Sequence, residues 1–204
     1  SMPVGGAEVL LVNLICRLDR QRIIPQLCCL KELGPLGEEL AEEIPAHHDL
    51  IGGKYDVAVL WRLVRLMRKQ QIDAVVTVGA GDKMFWGRLA ARLAGVPVIC
   101  SALHSPGWPD GVGRMNRLLT PITDAFIGVA RPHGHHLIEN ERFPAQRVHV
   151  IPNGVDIDRF QPNPQAAARL RHELTIPADA PVCGIVAALR PEKNHELFVE
   201  AAAR

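Results

Sequence analysis

Short apolar runs alternate with amphipathic stretches along most of this chain. Gln26–Leu30, Asp73–Val78, Val96–Leu103, Ala125–Val129 and Val148–Ile151 are rich in Val, Ile, Leu and Ala, which predicts buried strands. Between them apolar residues recur at helical spacing: Ala7, Leu10, Leu11, Leu14, Ile15 and Leu18; then Val57, Leu60, Leu63, Val64 and Met67; then Trp86, Leu89, Ala90 and Leu93. Pro35–Glu43, Gly113–Leu119 and Arg131–Glu141 read as further helices, and Ala46–Ile51 as a weak strand or loop. Strands of this kind separated by helices predict an α/β fold, a doubly wound parallel sheet covered on both faces. Its ligands belong outside the carboxyl ends of the strands, where Gly79, Gly81, His104 and Gly128 stand.

The stretch Val148–Phe160 is a hinge in this pattern. Pro152 ends a strand because it has no N–H to donate, and Asn153-Gly154 is a turn pair. Asp156 and Asp158 keep the following residues at a surface. After Pro162 and Pro164 the alternation restarts, with a helix over 166–174, a strand over 182–189 and a helix over 196–204. Residues 1–162 are therefore read as one doubly wound α/β domain, and 163–204 as a linker and the truncated beginning of a second.

Val4-Gly5-Gly6-Ala7-Glu8 is a glycine turn running into a helix, and such a turn ordinarily follows a strand. Only Ser-Met-Pro precedes it, so the first strand of the sheet is expected to be missing. A sheet lacking that strand exposes two apolar edges. Val182–Leu189 has the composition to fill the slot, in its own chain or in a neighbour's, giving a strand-swapped or edge-paired oligomer.

Composition narrows the function classes. Net charge is +1 and aromatic residues are 4%, which argue against nucleic-acid partners and base-stacking platforms. The five cysteines follow no metal or disulfide spacing and are expected to be small core residues in a reducing compartment. No signal peptide or membrane-length apolar run is evident, so a cytoplasmic protein is expected. His133, His135 and His136 lack a Cys or carboxylate at ligand spacing and are read as an exposed helix start rather than a metal site; His47-His48 is a weaker candidate still. Arg62, Arg65, Arg68 and Lys69, with Trp61 beside them, form a basic helix face that is ordinarily just solvated; it could also meet a membrane surface or an anionic lipid-linked acceptor. Lys83 faces the proposed cleft. No G-x-G-x-x-G with a ribose-binding acid about 20 residues on is present, which argues against a nicotinamide-dependent dehydrogenase.

Three motifs now stand in register. Gly5-Gly6-Ala7-Glu8, then Val150-Ile-Pro-Asn-Gly-Val-Asp156 with Phe160, then Ala188-Leu-Arg-Pro-Glu-Lys-Asn194, resemble in order and spacing the family 4 (group 1) glycosyltransferases. These are retaining enzymes with two Rossmann-like domains across a cleft, the GT-B fold. The resemblance implies an acceptor-side N-terminal domain followed by the start of the nucleotide-sugar-binding domain.

What it implies has a physical reading at each position. Gly5 and Gly6 resemble the loop that lets backbone N–H groups approach the donor diphosphate at a helix N-terminus, Gly6 above all. His104, in Leu-His-Ser-Pro, resembles the family's catalytic-cleft histidine, where an imidazole hydrogen-bonds or moves a proton near neutral pH. Lys193 resembles the lysine that holds the pyrophosphate. The family sets an arginine five residues before that lysine; here Ala188 occupies the position and Arg190 is the nearest guanidinium. The family's paired glutamates should lie beyond Arg204, and Glu192 and Glu200 match their spacing by coincidence.

The resemblance implies transfer of a sugar from a UDP- or GDP-type donor to a sugar or lipid-linked acceptor, with retention, without metal or other cofactor, in the cytoplasm or peripherally at the inner face of the membrane. A fragment of this extent is expected to be inactive alone and to bind nucleotide weakly. The alternative of another class is a non-catalytic nucleotide-sugar binding or interaction domain.

Overall fold

The computed structural model describes residues 1–53, 55–79, 82–103, 115, 117–189 and 191–203, without the side chains of residues 82, 83 and 192. Contacts divide the chain into Ser1–Gly154 and Val155–Arg204. Each unit is described by itself.

The first unit opens on helix α1 (Gly6–Cys16), followed by β1 (Leu27–Cys28), α2 (Pro35–Ala41) and β2 (Ala46–His47). Then come α3 (Val59–Lys69), β3 (Ala74–Val78), α4 (Asp82–Ala94), β4 (Val98–Ala102), β5 (Ala125–Gly128), α5 (Arg131–Glu139) and β6 (Val148–Val150). All strand pairs are parallel. They form two sheets, β1-β2 and β3-β4-β5-β6. The expected parallel α/β architecture is what the chain adopts.

The register explains the core. Val75, Thr77, Ile99, Ser101 and Phe126 share one face of the larger sheet by their period of two. Of these, Thr77, Ile99, Ser101 and Phe126 are buried. Val59, Leu63, Val64 and Met67 of α3 pack with Ala90 and Ala91 of α4 and with Ile99. A second cluster joins Met84, Leu103, Phe126, Leu137 and Phe143, where the Phe126 and Phe143 rings stack at 3.9 Å. The opposite sheet face is open at Val76 and Val98, 53% and 43% exposed, so coverage on both faces does not extend to β3 and β4.

Two glycines let helices settle on strands. A Cβ on Gly87 of α4 would lie 2.7 Å from Thr77 Cγ2, and one on Gly134 of α5 would lie 2.5 Å from Val150 Cγ2. Helix α4 ends at Gly95, whose φ of +85 suits glycine. Arg68 of α3 donates to the carbonyls of Leu93 and Ala94 at the same end.

Several expectations are corrected. The buried side of α4 is Met84, Arg88, Ala90 and Ala91, whereas Leu93 is 41% exposed. Arg88 is fully enclosed, donating from Nε to the Met84 carbonyl and from Nη1 to Thr123 Oγ1, and burial pushes its pKa down to about 10. Helix α3 starts at Val59, leaving Val57 exposed, because Asp56 accepts from the Ala58 and Gly52 N–H groups and turns the chain just before it. Of the cysteines only Cys29 is buried and Cys100 half-buried; Cys16, Cys28 and Cys183 are exposed, and none forms a disulfide.

In the second unit, α6 (Pro164–Glu173) is capped by Asn163, whose side chain accepts from Ala166 N–H. Helix α7 (His195–Ala202) follows a 3-10 turn over Pro191–Lys193. Val182–Leu189 forms no strand, with Val186 and Leu189 almost fully exposed. An apolar run without a neighbouring ladder has nothing to bond its N–H and C=O groups. The strand predicted over 182–189 is therefore not what the structure shows.

Candidate functional site

The sequence placed its candidates at strand carboxyl ends and helix N-termini. Gly5 is the N-cap of α1, with extended φ and ψ of −154° and 161°, and no side chain caps the helix. The first helical N–H groups thus point outward from a glycine entry, the arrangement that favours an anion. Gly6 is exposed, and a Cβ there would meet nothing within 4 Å.

The entry is fixed from behind. Met2 N–H donates to the Leu33 carbonyl at 2.7 Å, and Met2 is buried with Ile15, Leu27, Cys29, Leu40 and Ile44. Leu33 lies past the end of β1, so α1 begins at the carboxyl end of that strand, as a doubly wound sheet requires.

Glu8 is a residue that the sequence reading passed over. At the third helical position, its carboxylate folds back until Oε2 is 2.6 Å from where a Cβ on Gly5 would stand. Acidic residues in a first turn are favoured by the helix dipole. The signal was present in the sequence, since Glu at this position is the reaching-back residue of a capping box. The carboxylate therefore lies beside the Gly5 N-cap.

In the larger sheet the ladder continues past the strand ends: Gly79 N–H bonds Ala102, Leu103 N–H bonds Ile127 and Ile151 N–H bonds Gly128. His104 follows Leu103 directly but lies outside the described residues, as do Gly81 and the side chain of Lys83. The described chain resumes at Met115 and, two residues on, Arg117 donates from Nε and Nη2 to the buried Glu141 Oε2 at 3.1 and 2.9 Å. Glu141 Oε1 also lies 3.8 Å from His136 Nε2. Leu103 is thus buried in the core, and Arg117 is held by an ion pair.

His135 stands 3.8 Å from Glu139, and His133 Nδ1 accepts loosely from the Val129 N–H. Among the described residues no group of His, Cys, Asp or Glu is arranged to hold a metal ion.

In the second unit Lys193 is exposed and stands next to Asn194, the N-cap of α7. Asn194 adopts the left-handed conformation, φ +48, and its Oδ1 accepts from Leu197 N–H. The ring Nε2 of His195 pairs with the Ala188 carbonyl at 3.0 Å, closing the Ala188–Asn194 loop. An ammonium beside a helix N-terminus makes this end electropositive. Arg190 lies outside the described residues.

A profile described as Glycosyltransferase Family 4 matches residues 4–159. The chain belongs to glycosyltransferase family 4. EpsF of Bacillus subtilis, named as a glycosyltransferase, is 26% identical over 219 aligned positions, covering 100% of this chain and 56% of its own. The Escherichia coli UDP-Gal:alpha-D-GlcNAc-diphosphoundecaprenol alpha-1,3-galactosyltransferase is 27% identical over 198 positions, covering 91% of this chain and 51% of its own. The crystal structure of Anabaena HepE in complex with UDP superimposes with a TM-score of 0.80 at 21% identity, over 100% of this chain and 55% of that one. This likeness supports the fold. The family 4 chain spans about half the length of the curated relatives it matches.

Proposed function

We propose that the protein transfers a sugar from a nucleoside-diphosphate donor to an acceptor hydroxyl with retention of anomeric configuration. The observation that carries this reading is the uncapped glycine entry of α1 at the carboxyl end of β1, within the residues that match the family. Backbone N–H groups of the first turn stabilise the departing diphosphate, with Gly5 and Gly6 leaving room for it. In the second unit Lys193 is the cation suited to a donor phosphate, with Arg190 in place of the arginine that Ala188 displaces. His104 serves as a hydrogen-bonding or proton-moving group, a role taken from its motif. The chain supplies position and charge, and needs no metal or cofactor beyond the donor substrate.

A uridine donor is favoured because HepE structures hold UDP and UDP-glucose. The Escherichia coli relative acts on a diphosphoundecaprenol acceptor, which supports a lipid-linked acceptor and peripheral contact at the inner face of the membrane. No described helix is long and apolar enough to cross a membrane. The test is an assay of the protein against UDP- and GDP-sugars with soluble and lipid-linked acceptors, reading product configuration by NMR. Transfer with retention is expected. Inversion would refute the mechanism, and nucleotide-sugar binding without transfer by the full gene product would favour the non-catalytic alternative.

A further inference from the structure

Helix α3 carries four cations between Arg62 and Lys69 and no acidic residue. Its buried side is Val59, Leu63, Val64 and Met67. At helical spacing, Trp61, Arg62, Arg65, Arg68 and Lys69 fall on the other side in a single arc, and all five are exposed. They are not equivalent. Arg62 Nη1 is held by the Asp56 carboxylate at 2.6 Å and the Leu50 carbonyl at 2.7 Å. Arg68 is spent on the carbonyls at the end of α4. Arg65 and Lys69 make no ion pair or hydrogen bond with the described residues and project as free cations.

The same arc is apolar at its beginning. Trp61 is 64% exposed, and the turn leading into the helix presents Val57 at 68% and Tyr55 at 86%. An exposed indole beside an exposed valine is an apolar patch of the kind that marks a contact surface. Trp and Tyr instead favour the boundary between water and lipid, where an apolar ring and a polar edge are both satisfied.

We propose that this face, Tyr55, Val57 and Trp61 continued by Arg65 and Lys69, is a docking surface for an anionic lipid bilayer. The aromatic end enters the headgroup layer, and the two free cations pair with lipid phosphates while their stems lie along the boundary. Arg62 and Arg68 fasten α3 to the rest of the domain, so that docking holds the whole unit rather than a loose helix. The inference adds a surface to the proposed lipid-linked acceptor but does not draw its evidence from it. Vesicle binding and sugar transfer are therefore separate readouts, and either can fail alone.

The test is co-sedimentation of the chain with phosphatidylcholine vesicles with and without phosphatidylglycerol. Binding is expected only with the anionic lipid, and it should fall with added salt. Arg65→Glu with Lys69→Glu should weaken it at least about twenty-fold, taking roughly fivefold for each cation near an anionic surface. Trp61→Ala should weaken it about tenfold, and Trp61→Phe should retain most of it. Arg20→Glu with Arg22→Glu, the same charge change on another exposed segment, should leave binding within about twofold. Circular dichroism confirms that each variant is folded. The proposal is overturned if the chain stays in the supernatant with anionic vesicles, binds neutral vesicles equally well, or loses as much binding through the Arg20/Arg22 pair as through Arg65/Lys69.

Discussion

Met2 and Gly34 occupy one crossing of the chain: a methyl group on Gly34 would lie 2.7 Å from the Met2 carbonyl oxygen. Gly34 also has φ +74 and is the N-cap of α2. The entry to α1 therefore rests on a residue that tolerates no side chain. Gly34→Ala combines a left-handed backbone cost with overpacking, and should destabilise the first unit by roughly 2–4 kcal/mol. Urea denaturation measures this, and a change below about 0.5 kcal/mol would show that the crossing is not tight.

Gly6 offers the converse experiment. Its Cβ position is open and its backbone conformation is helical, so Gly6→Val should leave the urea midpoint nearly unchanged. It should nonetheless weaken UDP binding about tenfold, because the branched side chain fills the approach to the first-turn N–H groups. Equal losses of stability and binding would mean that the residue is merely structural.

Glu8 should act in the opposite direction. With its carboxylate over the N-cap, Glu8→Gln removes a charge that competes with the diphosphate. A two- to fivefold gain in UDP affinity at low ionic strength is expected from about 0.3–1 kcal/mol of charge–dipole competition. Titration calorimetry of the two proteins reads it directly.

Asp56 gives a pH signature. The hydrogen bond from Arg62, then those from the Gly52 and Ala58 N–H groups, hold its carboxyl below the ordinary carboxylate value. A depressed carboxyl contributes stability that is fully present above its unfolded pKa and is lost as pH falls through the folded one. The difference in stability between the chain and Asp56→Asn should therefore be constant at neutral pH and shrink below about pH 4. A difference that grows on acidification would reverse the assignment.

Phe126 is fully buried and stacked on Phe143. Phe126→Ala should cost about 3–5 kcal/mol, chiefly as a cavity between β5 and α5.

The strands were legible in the sequence because short runs rich in β-branched residues, such as Ala74–Val78 and Val98–Ala102, favour the extended pleated backbone even where one face stays open. Arg88 was not legible, since an arginine in an amphipathic helix reads as solvent-facing until Thr123 and the Met84 carbonyl are seen around it. The inner side of α4 was misread for the same reason. Val182–Leu189 has strand composition, but composition cannot supply the neighbouring ladder that makes a strand. At the site, a glycine pair opening a helix announced the α1 entry, and the third-position Glu8 carried the capping-box signal for its folding back, which the reading left unused. His104 and Arg190 lie outside the described residues, so their roles rest on the motifs alone.

The most direct test of the donor-site claim is an NMR titration of the isotopically labelled chain with UDP and, in parallel, NAD. Weak UDP binding that moves the amide resonances of Gly6, Ala7 and Glu8 first and furthest, with little response to NAD, is the predicted result. UDP shifts that spare these three amides, or an equal response to NAD, would contradict it.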